Sequence, residues 1–173
     1  VRADPEGAKY ETVVGPCSAR LSGGWIVDGS GDSGYLGDVL LRDKRILATI
    51  DRASPGQVRS AATLACELEL DVSGLVVAPG FINMLSWATE SLLLDPRALS
   101  DVSQGVTLEV MGEGRSMGPF YNPQPIKVRS HTGKLKFDTQ WKSLGGYFDL
   151  LDRAGIGVNV ASYVGATTIR EFV

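Results

Sequence analysis

The sequence predicts an α/β protein with an N-terminal all-β part. Three observations carry that expectation. Short apolar segments separated by turn residues fill the stretch from Cys17 to Val77. The pattern changes after Pro79-Gly80. From there, strand and helix signals alternate to the last residue. A series of short strands without helices has to bury one face within its own layers, so 17–77 reads as part of a small antiparallel β-sandwich or β-roll. Alternating strands and helices over 78–173 read as a parallel sheet with crossover helices, because parallel neighbours need a long connection.

Each element has a local reason. Residues 1–16 are polar and punctuated by Gly and Pro, and are expected to form a poorly ordered arm. Trp25–Val27 is apolar and runs into Asp28-Gly29-Ser30-Gly31-Asp32, a turn-rich loop. Asp38–Arg42 and Arg45–Ile50 flank Asp43-Lys44, which predicts a tight hairpin. Glu67–Asp71 alternates polar and apolar residues like a half-buried strand, and Gly74 breaks it before Leu75–Ala78. Phe81–Trp87 reads as a buried strand. Asp95-Pro96 opens a helix to about Ser103, with Pro96 in the first turn and Gly105 as the stop. Val106–Met111 is a second strand, and 112–137 reads as a long irregular segment. Asp138 is expected to cap a helix to about Ala154, with Trp141, Leu144, Phe148 and Leu151 on one face. Ile156–Val164 is the third strand, and Thr167 begins another helix.

Composition excludes some functions. The 173 residues carry 17 Lys and Arg against 20 Asp and Glu, a net charge of -3. No basic stripe is present to neutralise phosphates, so nucleic acid is not an expected partner. The longest apolar runs, Leu75–Ala78 among them, are too short to span a bilayer. No signal peptide is visible, but the chain begins at Val1 rather than Met, which leaves cytoplasm and periplasm both open. Cys17 and Cys66 lack metal-knuckle spacing and are expected to be two free or buried thiols, a disulfide being the alternative in an oxidising compartment. The single histidine, His131, is too few for a complete histidine-based metal site, and a lone loop histidine is expected to be exposed. Gly29-Ser30-Gly31 is turn chemistry, since no Lys-Ser/Thr follows to make a phosphate cradle.

Strand parity points to chemistry in the second strand. Val106, Leu108 and Val110 share one face, and Thr107, Glu109, Met111 and Glu113 share the other. In a (β/α)8 barrel the first set would pack under the helices and the second would point inward. Glu113 would then sit at the carboxyl end of the strand, where such barrels place their reactive groups. Glu109 would be an inward charge that needs a partner, with a structural ion pair as its expected role.

Three segments in order resemble the N-acyl-D-amino-acid deacylases of the amidohydrolase superfamily. They are Gly23-Gly24-Trp25-Ile26-Val27-Asp28-Gly29-Ser30-Gly31 with Gly37-Asp38-Val39 and Arg45-Ile46, then Gly74-Leu75-Val76-Val77-Ala78-Pro79-Gly80-Phe81-Ile82, then Ser103-Gln104-Gly105-Val106-Thr107. Val158-Asn159-Val160-Ala161 with Val164-Gly165 is similar to the next strand. The resemblance implies an N-terminal fragment: 17–77 as part of the β-domain, and 78–173 as the first three strand–helix units of an incomplete (β/α)8 barrel. It also implies a longer parent that hydrolyses an amide with a divalent metal, zinc foremost, acting on a small acyl-amino-acid substrate.

The departures lie at the chemistry. Where the family carries a His-x-His pair, this chain has Leu85 and Trp87, neither able to ligate a metal. Asn83 stands where an Asp usually precedes that pair. Met111-Gly112-Glu113-Gly114 matches a segment bearing a metal-binding Cys, with Glu113 in its place, and Gly165-Ala166 replaces a Gly-His. A carboxylate is a competent but harder ligand than a thiolate. Two readings compete. In one, the parent binds a metal through Glu113 and histidines of later strands, while this chain binds none alone. In the other, the branch has lost its metal and its catalysis, and the pocket binds or does nothing. The first is favoured, because an ionisable group at the bridging position looks like substitution rather than decay. The general base is expected outside this chain, so the isolated chain is expected to be inactive. Among substrate-binding candidates, Arg115 and Ser116 are placed to meet a substrate carboxylate, since a guanidinium can fork onto one. Trp87 is a candidate apolar wall, and Asn159 and Tyr163 share a strand face that can line a pocket.

Overall fold

The computed structural model describes residues 16–56, 64–121, 125–130 and 133–173, with no account of the side chains of 125–130 and 133–138. His131 and all but the last residue of the expected N-terminal arm lie outside the described residues. The chain divides into two compact units, Val1–Pro79 and Gly80–Val173.

The first unit is built on one five-stranded sheet. Its strands are β1 (Cys17–Ile26), β2 (Tyr35–Arg42), β3 (Arg45–Asp51), β4 (Cys66–Asp71) and β5 (Val76–Val77). The order is β3-β2-β1-β4, with β5 also on β1. The Asp43-Lys44 hairpin forms as expected, with Arg42 paired to Arg45 and Asp43 at φ +54°. The antiparallel expectation fails for β4 and β5, which run parallel to β1. The long connection after β3 allows that crossover where a tight turn could not. Gly23, at φ +80°, sits where the β1–β2 register shifts, and its N–H donates to Asp38 Oδ1 at 2.9 Å. Asp38 also takes the Arg52 guanidinium at 2.7 Å.

The cysteines correct the sequence reading. Cys17 and Cys66 are directly opposite in the parallel β1–β4 pair and form a disulfide. Their spacing of 49 residues held no hint of this, because only the crossover brings them together. Cys17, Leu40 and Ile50 form the buried core of this unit, with Leu47, Ala48, Leu64 and Cys66 packed on it.

The second unit holds β6 (Phe81–Asn83), α1 (Ser91–Leu94), α2 (Leu99–Val102), β7 (Val106–Met111), β8 (Pro125–Ser130), β9 (Gly133–Asp138), α3 (Leu144–Ala154), β10 (Asn159–Ser162) and α4 (Ala166–Phe172). β6, β7 and β10 make a parallel sheet in the order β10-β7-β6. β8 and β9 form a separate antiparallel hairpin inside the stretch read as irregular. The expected strand over 81–87 shrinks to three residues, and Phe81 and Ile82 are more than half exposed. Among the described residues β6 is hydrogen-bonded to a strand only on its β7 side. The helix expected from Pro96 splits in two, with Asp95 ending α1 and α2 starting only at Leu99. Asp138 ends β9, and Ser143 caps α3 instead, its Oγ accepting from Gly146 N at 3.2 Å. Gly155 closes α3 in the left-handed region, as its sequence position suggested. The core joins Leu92, Ala98, Met111, Met117, Trp141, Tyr147, Leu151 and Val158.

Candidate functional site

The carboxyl end of the parallel sheet collects three connecting segments. Ser86 N donates to Val110 O, and Tyr163 N donates to Met111 O, both at 2.9 Å. Thr167 N donates to Gly114 O at 3.1 Å. These backbone bonds hold the residues after β6, β7 and β10 side by side.

Gly112 makes the turn out of β7. Its φ is +85°, and a Cβ there would lie 2.3 Å from Tyr163 O and 2.4 Å from Ser162 Oγ. Only a residue without a Cβ fits that conformation at that distance. The turn also breaks the strand's parity, so Glu113 leaves the sheet and is exposed. Among the described residues no group of three or more His, Cys, Asp or Glu is gathered to hold a metal ion. Among the described residues Glu113 belongs to no such group. Leu85 and Trp87 are both more than half exposed and chemically unable to ligate a metal.

The other candidates are placed unevenly. Arg115 is exposed and forks onto Glu171 of α4. That bond raises the guanidinium pKa further. Ser116 is buried and fully engaged. Its hydroxyl donates to Gly118 O at 2.6 Å and accepts from Gly165 N at 3.0 Å, while its N–H donates to Thr168 Oγ1 at 2.9 Å. It fastens the loop to the start of α4 rather than facing a ligand. Tyr163 is half exposed beyond the end of β10, and Trp87 is the more exposed aromatic. Asn159 sits at the opposite end of the sheet from these. It is the first residue of β10, about 10 Å of strand before Ser162, and its amide donates to Thr107 O at 2.9 Å. The structure thus separates Asn159 from Tyr163, which strand parity had grouped.

β7 is buried on both faces near its carboxyl end, with Val110 on one and Glu109 and Met111 on the other. Glu109 lies opposite Asn83 and Val160, so the three share a face. Met111 and Val158 on that face belong to the core with Tyr147 and Leu151 of α3. Glu109 is completely buried and makes no ion pair among the described residues. Ser86 Oγ donates to its Oε2 at 2.5 Å, and its Oε1 has no partner there. Tyr147 donates to Thr89 O at 2.6 Å, and burial, then the charges of Glu109 and Glu90, push its phenol well above the usual range. Sequence reasoning missed Ser86, although it lies between Leu85 and Trp87. Serine is common in turns, and nothing local marks it as a carboxylate's partner.

Ser86→Ala leaves both Glu109 oxygens buried without a donor, and should cost about 2 kcal/mol in chemical unfolding. In a Glu109→Leu background the same change should cost clearly less. Equal costs in the two backgrounds would show that the bond contributes nothing.

No protein-family profile matches the chain. It is 33% identical to the D-aminoacylase of Alcaligenes xylosoxydans xylosoxydans over 162 residues, covering 91% of this chain and 31% of that enzyme. A solved D-aminoacylase with a binuclear metal centre superimposes with a TM-score of 0.70 at 30% identity, covering 91% of this chain and 31% of the other. The N-acyl-D-glutamate deacylase of Bordetella bronchiseptica, solved with zinc and a phosphonate inhibitor, gives 0.69 at 26% identity with the same coverage. The chain thus spans about a third of the length of the relatives it matches.

Proposed function

From a chain whose homologues are D-aminoacylases and N-acyl-D-amino-acid deacylases, we propose that the polypeptide it belongs to is a metal-dependent hydrolase of the amide bond in N-acyl-D-amino acids. In this reading residues 17–77 are part of the β-domain, and 78–173 are the first three strand–helix units of a (β/α)8 barrel. The observation that carries the reading is the loop after β7. It sets Glu113 in the open at the carboxyl end of parallel strands, on a backbone fixed by Gly112 and by bonds to β10 and α4. That is where barrel enzymes keep their reactive groups.

The residues present fit one ligand of a metal site and no more. Glu113 would be that ligand, with zinc as the expected ion and the remaining donors on later strands. A bound divalent ion supplies Lewis-acid polarisation of the acyl carbonyl. This chain's own contribution is to bind and orient. Trp87 and Tyr163 present aromatic surface for an acyl or side-chain group. The general base is proposed to lie downstream, so the isolated 173 residues would not turn over substrate.

A second reading, a non-catalytic binder on a decayed scaffold, is favoured by Leu85 and Trp87 in the histidine positions. Turnover of N-acyl-D-amino acids by the full-length polypeptide, lost in Glu113→Ala, supports the hydrolase. Binding without turnover in the wild type supports the alternative. No helix among the described residues is long and apolar enough to cross a membrane. Of the two open compartments, the disulfide favours the periplasm in this proposal, since such bonds persist where thiols are not kept reduced.

A further inference from the structure

We propose that Arg115 is a receptor for a ligand carboxylate and that Glu171 is its built-in competitor, occupying the guanidinium until a substrate carboxylate replaces it. This rests on the hydrolase reading and extends it to a residue pair.

The geometry already displays the recognition. Arg115 Nη1 donates to Glu171 Oε2 at 2.8 Å, and Nη2 donates to Oε1. Two parallel donors on two carboxylate oxygens are the arrangement in which a guanidinium recognises any carboxylate. Glu171 therefore stands in for the chemical group a ligand would bring.

The pair is also replaceable. Its side chains are 64% and 56% exposed, so water and an incoming anion reach both. Exposed pairs of this kind stabilise a fold little, and little is lost when one partner is exchanged for an equivalent anion. The guanidinium's base is rigid by contrast. Gly114 O accepts from Thr167 N, and the Ser116 backbone and hydroxyl are bonded to Thr168 and Gly165. Arg115 thus lies between two anchored neighbours and needs no reordering to change partners.

Its position suits an acyl-amino acid. Arg115 is two residues after Glu113, on the same loop at the carboxyl end of β7. A ligand with its amide at Glu113 has its α-carboxylate or an acidic side chain within a few bonds of that point. The same arrangement predicts discrimination against ligands without a carboxylate, which cannot displace Glu171.

The test uses the full-length polypeptide and two probes, N-acetyl-D-alanine and its neutral C-terminal amide. Affinities are read by equilibrium dialysis, with turnover followed separately. Glu171→Gln should tighten binding of the acid about threefold and leave the amide unchanged. Arg115→Gln should weaken the acid to the level of the amide, and adding Glu171→Gln to it should have no further effect. The pair is exposed, so thermal unfolding of these variants should match wild type. Equal effects of Glu171→Gln on acid and amide, no effect on either, or no binding of the acid would each overturn the proposal. Turnover with no response to Glu171→Gln keeps the hydrolase and removes the competitor. The expected binding pattern without turnover does the reverse.

Discussion

Breaking the Cys17–Cys66 bond is expected to lower the stability of the N-terminal unit by about 4 kcal/mol. The crosslink closes a loop of 49 residues, and a loop of that size removes conformational entropy from the unfolded chain worth about that much at room temperature. The folded state loses little in exchange. Cys17 is buried beside Leu40 and Ile50, and alanine at 17 and 66 leaves only a small void. The Cys17→Ala, Cys66→Ala variant and the reduced wild type should therefore unfold alike, at clearly lower denaturant than the oxidised protein. Amide exchange in β1 and β4 should accelerate in both, while exchange in β7 and β10 should not, because those strands belong to the other compact unit. Unfolding unmoved by reductant would contradict the crosslink's role.

Gly112→Val is expected to be the most damaging single change at the candidate site, costing about 3 kcal/mol or more. Two penalties add. The backbone is at φ +85°, which a β-branched residue strongly resists. A Cβ would also meet the Tyr163 carbonyl oxygen at 2.3 Å, and that oxygen belongs to backbone held on β7. Either the loop or the end of β10 must move, and Glu113 and Arg115 move with the loop. Gly112→Ala should show the same defect in milder form. Gly114→Ala is the control, since no atom lies within 4 Å of a Cβ there, and it should be near neutral. In the full-length polypeptide, Gly112→Ala should lose ligand affinity in step with stability. A fully stable Gly112→Val protein would show that the turn is not as tight as its geometry.

Local pattern revealed most of the elements and little of how they meet. The Asp43-Lys44 hairpin, the β7 strand and the Gly155 stop follow from neighbours in sequence, and all three are present. Helix starts were less legible. Asp138 and Ser143 are both competent caps, and the choice fell to Ser143 because residues up to 138 are committed to the β9 ladder. Strand direction was not legible either. β4 has the alternation of a half-buried strand in any sheet, and only its long crossover makes it parallel to β1.

The site was legible where a backbone constraint marks it. Gly112 followed by Glu113 reads as the end of a strand, and it is one. The faces of β7 were not legible, because apolar and mixed faces can each lie under a helix. Val106, Leu108 and Val110 look like the buried set, yet Glu109 and Met111 of the other face are buried along with Val110. Ser86 makes Glu109 tolerable there, and no rule of spacing joins residues 23 apart. The Arg115–Glu171 pair spans 56 residues and is equally invisible to local pattern.

The central claim is that Glu113 is the metal ligand this chain contributes. Metal analysis of the full-length polypeptide, wild type against Glu113→Ala, tests it most directly, with circular dichroism confirming that both are folded. Glu113 is exposed, so its removal should leave the fold intact while bound divalent metal falls sharply. Equal metal content in the two proteins would contradict the claim.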